Sequence, residues 1–221
     1  MPEQRQKVSD DAIFAAAQRA MTRKGPHELT LAHIAAEAGV SPGRLVQRFG
    51  SKRALLLALA ERFGESAGSV FDGLRAAHPS ALAALRGFAT CMAELAVTPD
   101  MLARSLAYLQ IDLTDPEFRP HLLRKARATR RELEALVRSA IAEGGLSHEA
   151  DPRALARSIE AVVSGSLMTW ACYREGSADR WMCRDFDALL APYLAAEPGP
   201  RLSAPRRAGR GQPEGTRGTR R

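Results

Sequence analysis

The 221-residue chain has little or nothing of several residue types, and each shortage excludes a class of protein. Its three cysteines (Cys91, Cys172 and Cys183) are odd in number and widely spaced, so they form neither a fully paired disulfide framework nor a zinc-binding pattern. No uninterrupted apolar run reaches the ~18 residues of a membrane span, and the polar N-terminus does not resemble a signal peptide. We therefore expect a soluble, cytoplasmic protein with reduced thiols and no membrane partner.

The composition predicts an all-α fold. Aromatic residues make up 5% of the chain, so a core must be built mainly from Ala, Leu and Val. No segment alternates apolar and polar residues with the period of two that is typical of strands. Good helix formers dominate instead, and we predict about nine helices, of which the first three form a separate N-terminal module.

Capping residues and breakers mark the predicted helix boundaries. Ser9, Thr30 and Ser41 are expected N-caps of the first three helices, and Gly39 suits a left-handed C-cap. A long fourth helix is expected to run from Lys52 to Ala77. Proline signals at Asp115-Pro116 and Asp151-Pro152 are predicted to open the seventh and eighth helices. The expected parts are an N-terminal domain at 1–51, a helical bundle at 52–197 and a disordered tail at 198–221.

Positive charge is concentrated at the two ends of the chain. Residues 1–62 hold ten Lys/Arg against six Asp/Glu, whereas residues 63–197 hold fifteen against eighteen. The tail holds seven arginines against Glu214 alone. A basic N-terminal module suits a polyanionic partner, although solvated helix faces carry similar excesses. The tail is either a second electrostatic contact or simply a soluble end.

Residues 31–50 carry the clearest functional pattern. Two short helices joined by Gly39-Val40-Ser41 must cross steeply, because the glycine reverses the chain. Ile34 and Leu45 seal the corner between them, and the second helix is left with a polar, positive outer face. Such a helix has the dimensions to enter the major groove of DNA. The alternative is a plain helical hairpin with solvated arginines.

This pattern resembles the DNA-binding domain of the TetR family of bacterial repressors over residues 9 to about 60. The match runs in order and spacing through Ile13–Gly25, Thr30, Ile34-Ala35-x-x-Ala38-Gly39-Val40-Ser41, Gly43, Leu45, Phe49 and Ser51-Lys52-x-x-Leu55-Leu56. The resemblance implies a ligand-responsive transcriptional repressor with a C-terminal domain for dimerisation and ligand binding.

Ten residues are the expected DNA contacts: Thr30, His33, Ser41, Pro42, Gly43, Arg44, Val46, Gln47, Arg48 and Lys52. Val46 departs from the family, which commonly has a tyrosine there, so a backbone contact is lost and a thymine methyl contact is possible instead. Gln47 suits adenine, and the two arginines suit guanine or phosphate. Lys52 matches the family's phosphate-contacting lysine, whereas His33 is better explained as a solvated helix residue.

The family resemblance also implies a pocket for a small-molecule effector in the second domain. The candidate lining residues, each of which could instead be ordinary core packing, are Phe88, Met92, Leu106, Gln110, His121, Trp170 and Tyr173. Polar groups among apolar ones are what such a site requires. The pattern indicates a small, largely apolar molecule and leaves its identity open.

Two apolar stripes in the last two helices predict a homodimer. They comprise Leu155, Ile159, Val163 and Leu167 on one helix and Phe186, Leu190 and Tyr193 on the other. Two such helices from each subunit would form a four-helix bundle with two-fold symmetry, which matches an inverted-repeat operator. The alternative is burial of these residues against the protein's own domain.

Other classes of function are disfavoured. The chain has no Ser/His/Asp spacing, no phosphate-cradling glycine loop and no metal-ligand pattern, and its five histidines are scattered. We predict no catalytic residues, no metal and no cofactor. A protein-protein adaptor would not need the basic groove-reading helix.

Overall fold

The computed structural model describes residues 8–65, 67–94 and 96–195, and it confirms the predicted all-α class. These residues form ten α-helices and one short 3₁₀ turn: Asp10–Arg23 (α1), Leu31–Ala38 (α2), Pro42–Phe49 (α3), Lys52–Glu65 (α4), Ala67–Ala77 (α5), Ala81–Glu94 (α6), Pro99–Thr114 (α7), Arg119–Ala142 (α8), Pro152–Tyr173 (α9), Ala178–Leu190 (α10) and Ala191–Tyr193. The β structure within these ranges is one isolated bridge, Leu146 with Leu194. The arginine-rich tail lies outside the described residues.

The predicted capping residues are in place. Ser9 accepts a hydrogen bond from the backbone of Ala12 at 3.2 Å, and Asp151 accepts one from Arg153 at 2.9 Å. Each bond satisfies a helix N–H that has no partner inside the helix. Because these signals are local, the sequence was sufficient to predict them.

Two helices differ from the predicted boundaries. The segment predicted as one helix from Lys52 to Ala77 forms α4 and α5, and Ser66 between them lies outside the described residues, so continuity stays a prediction. The helix predicted to open at Asp115-Pro116 begins instead at Arg119. Asp115 is the C-cap of α7, and its carboxylate accepts from the backbone N–H of Glu117 at 2.9 Å. That turn uses Asp115 to close one helix rather than to open the next.

The described residues contain two main apolar cores. The N-terminal core comprises Ile13, Ala17, Ala20, Leu29, Ile34, Ala35, Leu45, Leu55, Leu59 and Tyr108. Its last three members come from α4 and α7, outside the three-helix module. The module is therefore completed by helices that also belong to the second half of the chain.

The larger core lies among α5, α6, α8, α9 and α10, and it includes the stripes predicted for dimerisation. Leu155, Ile159, Val163, Phe186 and Leu190 are all buried in this core within one protomer. Leu167 and Tyr193 are partly buried and pack against it. The periodicity predicted the apolar stripes. These stripes are buried against the chain's own domain, which was the alternative explanation.

No single described helix is long and apolar enough to cross a membrane. The pair Ala81–Glu94 and Pro99–Thr114 meets the length and composition requirements only when both helices are taken together across a 94° bend.

We expect Val163→Asp to unfold the protein rather than to separate two subunits. The Val163 side chain is 7% exposed, so the substitution buries a charge without a partner. The free energy of unfolding should fall by about 3 kcal/mol or more, measured by urea denaturation at one fixed protein concentration.

Ala126→Asp is the matched control, since Ala126 is exposed on α8 and should not lower the urea midpoint through core burial. A folded, monomeric Val163→Asp protein with the wild-type midpoint would instead place Val163 at a subunit interface.

Candidate DNA-binding surface and effector cleft

Local contacts set the angle between α2 and α3. Gly39 ends α2 with φ at 67°, a left-handed conformation that favours glycine. The N–H of Val40 then donates to the carbonyl of Ala35 at 3.0 Å, and Ser41 caps α3 through the N–H of Arg44 at 3.4 Å. Pro42 follows at the first helical position, where its missing N–H costs nothing. The chain therefore reverses within three residues and turns α3 across α2.

One side of α3 is buried and the opposite side is free. Leu45 is fully buried, whereas Pro42, Gly43, Val46 and Gln47 are exposed. The Val46 side chain is 49% exposed. This face combines a methyl-bearing side chain with an amide, and both types read base edges in the major groove.

The two arginines of α3 have different surroundings. The Arg48 guanidinium pairs with Asp10 at 2.7 Å and donates to the carbonyl of Val8 at 2.9 Å, which ties the start of α1 to α3. Arg44 makes no side-chain hydrogen bond or ion pair with any described residue, and it is half-buried. Of the two, Arg44 is the one available to an external partner.

Three other predicted contact residues also have partners in the protein. Thr30 accepts from the backbone N–H of His33, and the His33 ring accepts from the backbone N–H of Thr30, both at 3.3 Å. His33 thus forms part of a capping box at the start of α2. The Lys52 ammonium donates to the carbonyls of Pro26 and Leu29 at 3.0 and 2.8 Å, and so fastens α4 to the loop before α2.

A cleft of about 340 Å³ lies between α1, α4, α7 and α8. Its lining is mainly apolar, with polar groups at several points: Gln18, Met21, Thr22, Leu56, Leu59, Ala60, Phe63, Ser105, Tyr108, Leu109, Ile111, Asp112, Phe118, His121, Leu122 and Lys125. An apolar cleft with a few polar groups has the properties of a small-molecule site. Its position places a bound molecule in contact with both halves of the chain.

Two polar links join these halves around the cleft, and a third joins α4 to the end of α7. Tyr108 donates its hydroxyl to the carbonyl of Lys24 at 2.9 Å, and burial raises the pKa of this phenol to about 12, so it remains a donor. Arg104 donates to the carbonyl of Thr22 at 3.2 Å. Arg53, in the first turn of α4, donates to both oxygens of Asp115 at 2.6 and 3.0 Å.

The Arg53 link also contacts the cleft wall. Its guanidinium lies 5.3 Å from the ring centre of Phe118, a buried residue that lines the cleft. Hydrogen bonding from Arg53 holds the pKa of Asp115 down at about 2, so the pair persists at neutral pH and is lost only in strong acid. A displacement of Phe118 would therefore reach the helix that follows the recognition helix directly.

Only His121 among the predicted pocket residues lines this cleft. Phe88 is buried and stacks on Phe71 with ring centres 5.3 Å apart, and Trp170 is buried in a small separate cluster. Tyr173 is exposed and stacks on Trp181. Three further predicted residues, Met92, Leu106 and Gln110, are likewise outside the cleft lining.

Most of the cleft residues were not predicted from the sequence. Leu56, Ala60 and Phe63 form a second apolar stripe on α4, beside the stripe that fills the N-terminal core. Two stripes on one helix predict two neighbours. That pattern was the available signal, although it could not show that one neighbour leaves a cleft.

An exposed face of mainly small side chains runs along α9, opposite its buried stripe. It contains Ala154, Ser158, Ala161, Gly165, Met168 and Cys172, at alternating spacings of four and three residues. No atom lies within 4 Å of the position that a Cβ would take at Gly165. This face is open to another helix.

The steep helix pair with its exposed reading face, attached to an α-helical second half, defines a helix-turn-helix DNA-binding regulator. The family model of bacterial regulatory proteins of the tetR family matches residues 13–59. A model of the tetracyclin repressor-like C-terminal domain matches residues 106–186. The two models together match more than half of the chain, which belongs to the TetR family of bacterial transcriptional regulators.

Solved structures share the fold. A TetR-family transcriptional regulator from Rhodococcus sp. is 25% identical, with 82% of this chain and 97% of that chain covered and a TM-score of 0.60. SmeT, the repressor of the Stenotrophomonas maltophilia multidrug efflux pump SmeDEF, is 23% identical over 86% and 93%, with a TM-score of 0.60. FadR from Bacillus subtilis, in complex with stearoyl-CoA, is 19% identical over 83% and 98%, with a TM-score of 0.62. Comparison with curated proteins gave no significant match.

We expect Arg44→Ala and Gln47→Ala to weaken specific DNA binding by about 1–3 kcal/mol each and to relax base preference at one operator position. Lys52→Ala should weaken binding to all sequences alike, because it loosens the start of α4 and removes one positive charge. Fluorescence anisotropy on operator and scrambled duplexes at several salt concentrations measures both effects. A change in preferred sequence for Lys52→Ala, but not for Arg44→Ala, would reverse this assignment.

We expect Arg53→Met to loosen the corner between α7 and α8. An exposed ion pair contributes up to about 1 kcal/mol, so amide hydrogen exchange at residues 115–121 should become two- to about fivefold faster. Arg62→Met is the matched control, because Arg62 pairs with Asp11 within the N-terminal half. Unchanged exchange at the corner would show that the Arg53 link does not hold it.

Proposed function

We propose that the protein is a homodimeric repressor that leaves an inverted-repeat operator when a small, largely apolar molecule occupies the cleft. The observation that carries this proposal is the position of the cleft, which is bounded by α1 of the DNA-binding module and by α4, α7 and α8. A regulator of this kind works where the chromosome is, and we therefore assign it to the cytoplasm.

The proposed base-reading residues are Arg44, Val46 and Gln47, on the exposed face of α3. Thr30 and Ser41, both exposed at helix N-termini, are placed to meet phosphates together with Pro42 and Gly43. Arg48, Lys52 and His33 contribute mainly by holding α3 and the loop before α2 in place, since each is engaged within the protein. Any contact that these three residues make with phosphate would be additional to this structural role.

The proposed release mechanism acts through α4. This helix begins at Lys52, directly after the recognition helix, and its side chains Leu56, Ala60 and Phe63 line the cleft. A molecule wedged there would shift α4 relative to α7 and α8, and α3 would move with it. Two recognition helices must sit about one DNA turn apart, so a small movement disturbs their spacing.

Thermodynamic linkage sets the required size of this effect. To convert a population from almost wholly DNA-competent to almost wholly incompetent, the effector must prefer the second state by about 5.5 kcal/mol. Operator DNA must then weaken effector binding by the same factor that the effector weakens DNA binding.

The proposed dimer uses the exposed face of small residues on α9 and the outer side of α10. Small side chains let two helices approach closely, and Gly165 lies near the middle of this face. The residues first predicted for this interface lie on the core-facing side of α9 and α10. They hold these two helices against the domain core. The resulting four-helix arrangement would have two-fold symmetry.

Names of structural neighbours support a ligand-controlled repressor. SmeT is a repressor, and FadR from Bacillus subtilis was solved with stearoyl-CoA. The proposed parts are a DNA-binding domain at 1–51, whose helix-turn-helix is 31–50, and a sensing domain at 52–197. Whether the basic tail at 198–221 adds an electrostatic DNA contact is a separate proposal.

We expect DNA captured by the purified protein from random duplexes to share an inverted repeat, with half-site centres about 10 base pairs or a multiple apart. Gly165→Arg should sediment as a monomer at micromolar concentration and lose operator affinity. Gly73→Arg is the matched control, because that helical glycine is equally open and lies on α5. A monomeric wild-type protein, or captured sequences without symmetry, would contradict the proposal.

A further inference from the structure

The cleft contains one carboxylate that no described residue neutralises directly. Asp112 lies on α7, is half-buried, and makes neither a hydrogen bond nor an ion pair with any residue that the structure describes. Burial raises its pKa, against the opposing charges of Lys125 and His121. A carboxylate in a largely apolar cleft gains stability from any donor that reaches it.

The other ionisable groups that face Asp112 do not fill this role. Lys125 is exposed at the cleft rim, where its ammonium lies 5.4 Å from the ring centre of Phe63, and water can solvate it. The Nδ1 of His121 accepts a hydrogen bond from the Arg124 guanidinium at 2.6 Å, so this nitrogen is already engaged. Asp112 is therefore the charge inside the cleft that lacks a direct partner.

Two polar side chains of α7, Tyr108 and Asp112, offer hydrogen-bond acceptors to a molecule in the cleft. The Tyr108 hydroxyl donates its proton to Lys24, so its oxygen can only accept a further hydrogen bond from a molecule in the cleft. When ionised, Asp112 can only accept, whereas the cleft donors are His121 and, from exposed positions, Gln18 and Lys125. A ligand carboxylate would meet the charge of Asp112, whereas an ammonium would complement both acceptors.

We infer that the cleft binds a compact, largely apolar molecule with a protonated amine, whose ammonium donates to Asp112. This inference rests on the proposed function, in that it takes the cleft to be the effector site. The volume of about 340 Å³ is at the lower end for ligand pockets, so it suits one or two rings rather than a long chain. Leu56, Leu59 and Phe63 would cover the apolar body.

The test uses three compounds that share one apolar body: naphthylmethylamine, naphthalenemethanol and naphthoate. Calorimetric titration of the full-length wild-type protein at neutral pH should give the amine at least about tenfold higher affinity than the alcohol, because its bond to Asp112 is charge-assisted. Naphthoate should bind most weakly. Asp112→Asn should weaken the amine about tenfold or more and leave the alcohol within about twofold.

Two kinds of control locate the effect. Asp100→Asn is the matched charge control, because Asp100 is exposed on the same helix and lies outside the cleft. Leu109→Trp and Ala60→Trp each fill the cleft from a different helix and should abolish binding of all three compounds. Leu109 is 37% exposed, so its variant should fold even if the α4 variant does not.

Naphthoate binding as tightly as the amine would overturn the inference. So would an Asp112→Asn protein with undiminished amine affinity, persistent binding to Leu109→Trp, or no binding of the amine at about 1 mM. A mobility shift with the captured operator separates the two claims. If the amine binds through Asp112 without releasing DNA, the ligand chemistry stands and the proposed release mechanism falls.

Discussion

The packing of α4 between two sets of neighbours is the constraint on which the rest of the molecule depends, because the same helix serves both halves of the chain. Leu55 and Leu59 complete the N-terminal core, while the stripe that includes Leu56 and Phe63 faces α7 and α8 across the cleft. A helix packed on two sides transmits displacement from one neighbour to the other, since close-packed side chains do not yield independently. The position of the recognition helix and the shape of the cleft therefore both depend on α4.

Polar contacts determine which basic residues of the reading module remain free. Arg48 holds the start of α1, and Lys52 holds the loop before α2, so both contribute to the orientation of α3. Arg44 has no such partner and remains available for DNA. The module thus separates the charges that hold α3 in place from a charge that has no partner within the described residues. Arg53 continues this framework beyond the module, because its pair with Asp115 links α4 to the corner of α7 and α8.

The cleft arises because two groups of helices meet along side chains that do not fill the space between them. Tyr108 donates to Lys24, the residue that follows α1, and Arg104 donates to Thr22 of α1. Phe118 forms a wall of the cleft beside the Arg53 pair. Asp112 is thereby left in a largely apolar space without a direct partner. In our proposal, the same arrangement gives the cleft its chemical preference and its mechanical connection to DNA binding.

Much of the fold and part of the site could be predicted from the sequence, because the relevant forces act within a few residues. Ser41-Pro42 and Asp151-Pro152 set helix starts through their own backbone chemistry, and Gly39 allows the turn that crosses α2 and α3. Contacts between distant residues were decided only by the tertiary structure. Periodicity showed that Val163 lies on an apolar stripe, but not that its own domain covers that stripe; likewise, nothing local to Arg48 indicates that its partner is Asp10. Local backbone preferences are encoded by neighbours in sequence, whereas burial and ion pairing depend on which surfaces meet.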